Sequence, residues 1–133
     1  MGAEPVAEGA ERSSALLQQS LAFDERAKIA FQDRSLTELK ALYADLKAAV
    51  AVIEAHQKSG GDACGCDVAL SNLLIITGFA VNKLDGEGRY EPWMLDESLI
   101  MLDMYQGFLI NCAADAQAAP AAVQLTAQHL KAL

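Results

Sequence analysis

The stretch SLTELKALYADLKAAVAVI, Ser35 to Ile53, decides the fold. Its apolar residues Leu36, Leu39, Tyr43, Leu46, Val50 and Ile53 are spaced alternately by three and four. A helix turns about 100° per residue, so this spacing gathers all six side chains on one stripe. A strand would send them to both faces. Leu42 and Ala49 widen the stripe, and Lys40, Asp45, Lys47 and Glu54 fall on the solvent side. Ser35 and Glu38 have capping-box spacing, which predicts a start at Ser35. Ser59, Gly60 and Gly61 predict a stop after Lys58.

The same reasoning extends outward. Upstream, Ser13 and Ser14 can cap a helix running to about Phe31, with a break near Asp24. Residues 1–12 lack periodicity and read as a disordered tail, which leaves 13–133 as one helical domain. Downstream, Cys66 to Leu84 is apolar around most of its circumference, broken by Asp67, Ser71, Gly78 and Asn82. Asp85 to Arg89 is a turn-rich connector. Carboxylates at Asp85, Glu87 and Asp96 have calcium-loop spacing, but Arg89 and Tyr90 stand where an oxygen ligand and a glycine belong. Pro92 suits the first position of a fourth helix, which reaches about Ala118 before Pro120. That helix is also apolar most of the way round, with a thin polar line of Asp96, Asp103, Gly107, Asn111 and Asp115. Ala121 to Leu133 reads as a short last helix. The expected architecture is therefore an all-α, antiparallel four-helix bundle with a short C-terminal helix. A hairpin centred on Gly88 places Gly78 across from Ser98 and Gly107 across from Ala69, which predicts close backbone approach at both pairs.

Composition narrows the function. The 133 residues carry a formal charge of −8, which argues against nucleic acid and against an anionic membrane surface. The charge-free run Val68 to Asn82 is short for a bilayer span and contains Ser71, Asn72 and Thr77. Met1 to Arg12 has neither the basic region nor the apolar run of a secretory signal, so a cytoplasmic location is expected. Three cysteines cannot all pair within one chain, and reduced thiols fit such a location. No phosphate loop, nucleophile elbow or dinucleotide fingerprint is present, and no enzyme activity or cofactor is expected.

Two helices that are apolar nearly all round exceed what one bundle needs, unless the terminal segments cover them. The expected function is a self-associating protein–protein interaction module, pairing as a homodimer or with another helical protein. Its expected contact residues are Leu73, Ile76, Trp93, Met101, Met104 and Phe108. One alternative is a thiol metal or redox sensor, with Cys64, Cys66 and His56 as ligands. A single residue between the thiols, with no second pair, favours a plain glycine-rich loop instead. Cys112 reads as a small core residue. A further alternative is a carrier holding a small hydrophobic ligand inside the bundle.

Overall fold

A computed structural model describes residues 5–86, 90–120 and 122–133. It contains α1 (Pro5–Gln32), α2 (Leu36–Lys58), α3 (Gly65–Asp85), α4 (Pro92–Asp115) and the short α5 (Ala127–Lys131). The four long helices pack side by side as an all-α bundle. Neighbours run antiparallel: Arg26 of α1 pairs with Asp45 of α2, Lys40 of α2 with Asp85 of α3, and Phe79 of α3 meets Trp93 of α4. Gly88, the expected centre of the α3–α4 hairpin, lies outside the described residues. Helix α3 is long and apolar enough to cross a membrane by length and composition. In this fold Ala69, Leu70, Leu73, Ile76 and Ala80 of that helix are core residues.

Helix α2 follows its sequence pattern closely. Leu39, Leu42, Leu46, Ala49, Val50 and Ile53 are buried, and Ser35 Oγ accepts the Glu38 backbone N–H at 3.2 Å. The reciprocal half of the capping box is absent, because the Ser35 N–H already donates to the Ala30 carbonyl at 3.1 Å. Helix α1 differs more. Residues 1–4 of the expected tail lie outside the described residues, and α1 starts at Pro5 rather than at Ser13 and Ser14. Proline suits a first helical position, and the alanine and glutamate that follow favour helix. Ser13 is therefore buried within α1 and does not cap it.

Nor does α1 break at Asp24. That residue is 1% exposed, and its carboxylate accepts three hydrogen bonds. The Tyr105 hydroxyl donates at 2.7 Å, the Gln124 N–H at 2.7 Å and the Leu125 N–H at 3.4 Å. A buried carboxylate persists only when its lone pairs are satisfied, and here they are. The bonds fasten the segment before α5 onto α1 and α4. Leu125, Leu130 and Leu133 then enter the core. His129 Nδ1 accepts the Thr126 N–H at 2.9 Å and holds the start of α5.

Tyr105 gives this arrangement a pH signature. Burial first, and then the Asp24 charge and hydrogen bond, raise its phenol above the ordinary value of 10.0. Folding therefore favours the protonated phenol. Its contribution is present below pH 10 and is lost as pH rises past the unfolded value, where only the unfolded chain readily ionises. Melting temperature should fall above about pH 10. Tyr105→Phe should be less stable at neutral pH but should lose less on going alkaline. Equal alkaline losses in the two proteins would refute the assignment. Tyr90, raised by burial and then by Asp96, remains in both and cancels in the comparison.

Candidate interaction surface

Two seams run along α4 on opposite faces. Ser98, Leu102, Tyr105, Leu109 and Cys112 are buried and spaced by four and three. Trp93, Ile100, Met104, Gly107 and Asn111 occupy the other side and are all exposed. Each of these two spacings matches a helical stripe, so α4 is two-faced by construction. The large outward side chains are substantially open: Trp93 is 52%, Ile100 57% and Met104 44% exposed. Ile110 lies beside them, 49% exposed. The expected polar line of Asp96, Asp103, Gly107, Asn111 and Asp115 does mark this outer side. Asp103 faces solvent and has no buried role.

The expected contact residues divide accordingly. Leu73 and Ile76 are 0% and 1% exposed and face the chain's own core. They belong to the inner face of α3 and form no part of a surface. Met101 and Phe108 are half-buried on the flank of the outer seam, while Trp93 and Met104 lie on it. Trp93 packs edge-on against Phe79 at 5.9 Å, and its indole N–H donates to Glu91 at 2.8 Å. The ring therefore anchors the start of α4 and still presents a face to solvent.

Glycine placement also departs from the expected hairpin. Gly78 abuts Tyr43 of α2, not Ser98; a Cβ added to it would lie 3.1 Å from the ring. Gly107 has nothing within 4 Å of where a Cβ would sit, so it leaves an outward notch in α4. The close approach of α3 to α4 occurs at Gly65 instead. A Cβ there would lie 2.7 Å from the Phe108 carbonyl oxygen and 2.8 Å from the Cys112 nitrogen. A groove of about 430 Å³ lies along Met104, Gly107, Phe108, Ile110 and Asn111. A second, of about 400 Å³, continues from Phe108 and Asn111 to Cys64 and Asp115.

The thiols are arranged differently from the sequence expectation. Cys66 and Cys112 form a disulfide that ties the start of α3 to the end of α4, with Cα atoms 4.6 Å apart. This corrects the reduced-thiol reading, while Cys112 does lie in the core as expected and is bonded there to Cys66. Both positions are fully buried. Cys64 is the remaining free thiol, half-buried at the mouth of α3. Its backbone N–H donates to Asp67 at 2.8 Å. Arg12 clamps that same buried carboxylate with two hydrogen bonds, at 2.9 and 3.2 Å. Asp67, in the polar stripe of α3, therefore braces α1 against α3. His56 packs against Gly61, and its Nε2 lies 3.3 Å from the Asp62 carbonyl oxygen. The expected ligands Cys64, Cys66 and His56 thus have separate partners, and among the described residues no three His, Cys, Asp or Glu side chains gather as a metal set.

Comparison with protein-family models, curated proteins and solved structures returns no match.

Proposed function

We propose that this protein is a non-enzymatic interaction module that receives a helix of another chain on the outer face of α4. One observation carries the reading: Trp93, Ile100 and Met104 line up on a single exposed stripe while the bundle has already filled its core. Exposed apolar patches on soluble domains mark partner surfaces, and a groove along a helix suits an apolar helix face. Helices α1 and α2 pack on α3, and α1 and the short α5 pack on α4 beside α3, while four of the large exposed apolar side chains, Trp93, Ile100, Met104 and Ile110, belong to α4. The grooves lie at the surface and the interior holds Tyr105 and leucines, which counts against the carrier reading. The buried Cys66–Cys112 bond favours an oxidising compartment over the cytoplasm.

Selection of a displayed library of helical peptides against the immobilised protein tests the proposal. Binders should be enriched and should fail on Met104→Asp. They should survive Val52→Asp, because Val52 is 71% exposed on α2, away from the seam. No enrichment, or binders indifferent to Met104, would remove the reading. A second copy of the chain is another candidate partner, and light scattering across a dilution series reports it directly.

A further inference from the structure

We infer that the partner of the α4 seam is a basic amphipathic helix and not a second copy of this chain; the inference rests on the α4 reading above. Helix α4 carries Asp96, Glu97, Asp103 and Asp115, and no Lys, Arg or His. Asp96, Asp103 and Asp115 are exposed, and none has an ion-pair partner among the described residues. Asp115 accepts one hydrogen bond, from the Gly65 N–H at 3.1 Å. Asp96 and Asp103 repeat at a heptad interval and flank one side of the Ile100–Met104 seam. Asp115 closes the far end, where the carbonyl end of the helix adds partial negative charge. The surface is thus an apolar track with acidic edges.

A second copy fits this poorly. Two α4 helices packed antiparallel about Met104 and Gly107 bring Asp96 of one against Asp115 of the other, and neither helix supplies a cation. Like charges across an interface select against that pairing. A helix with apolar residues at i, i+3 or i+4 and i+7, edged by Lys or Arg, meets both features at once. Gly107 leaves open space for one of its apolar side chains.

Three synthetic peptides of about 18 residues, spanning roughly five turns, provide the test. They share one leucine face and differ only in flanks of lysine, glutamine or glutamate. Fluorescence anisotropy with the full chain should show the lysine peptide binding about tenfold tighter than the glutamine peptide at low salt. The glutamate peptide should bind weakest, and added salt should close the gap. Combined Asp96→Asn, Asp103→Asn and Asp115→Asn should abolish the lysine preference and leave glutamine-peptide affinity in place. Met104→Asp should weaken all three. Equal affinities would overturn the inference. So would a lysine preference that survives the triple variant, since it would then reflect the net charge of −8 and not this face. A dimer dissolved by Met104→Asp would overturn the basic partner while leaving the α4 reading intact. A monomer that binds none of the peptides would overturn both.

Discussion

Asp24→Ala is expected to destabilise the fold by about 3–5 kcal/mol, because it strands one buried phenol hydroxyl and two backbone N–H groups at once. The three donors belong to Tyr105, Gln124 and Leu125. Asp24, Tyr105 and Leu125 are essentially inaccessible, so bulk water does not readily replace the bonds to the Tyr105 hydroxyl and the Leu125 N–H. Urea denaturation should show the loss as a lower midpoint. Limited proteolysis should show it first as cleavage between residues 122 and 126, which form no helix and are tied to α1 through Asp24. Asp24→Asn keeps an acceptor and should lose less, about 1–2 kcal/mol. A midpoint for Asp24→Ala within about 0.5 kcal/mol of wild type would show that the carboxylate is dispensable.

Reduction of Cys66–Cys112 should have a comparable effect by a different route. The bond closes a sequence separation of 46 residues. Loop-closure entropy for such a separation corresponds to about 4 kcal/mol, acting mainly on the unfolded chain. The clean measurement compares oxidised and reduced protein in a Cys64→Ser background, where no third thiol can exchange. A lower urea midpoint after reduction, with helical circular dichroism retained in buffer, is the expected pair of results. Unchanged midpoints would mean that α3–α4 packing alone restrains the loop.

Much of the architecture was legible because helices announce themselves locally. The three-and-four spacing from Leu36 to Ile53 predicts α2 and its buried side almost residue by residue. Pro92 likewise predicts the start of α4. Tertiary contacts leave no such local trace. A break near Asp24 is expected only because the apolar pattern of α1 is uneven there; the partners that keep Asp24 inside an unbroken helix lie 81 to 101 positions away. Two of those partners are backbone N–H groups, which no residue type encodes. Asp67 is a similar case, since its cation comes from Arg12 in a segment read as a tail. The disulfide did leave a signal. A hairpin centred on Gly88 brings Cys66 within a turn of Cys112, and the register was within reach of sequence reasoning. Leu73 and Ile76 show the remaining limit. A helix that is apolar all round does not say which half its own chain will cover.

The Asp24 contacts also bear on the order in which the fold closes. The bond to Gln124 joins residues 100 positions apart, so it closes one of the longest loops in the molecule. Each long helix can form from local contacts, whereas the Asp24 bonds need α1, α4 and the segment at Gln124 and Leu125 together. Until those parts meet, a hydrated carboxylate resists burial on this side of α1. Packing around Asp24 is therefore expected among the last steps of folding.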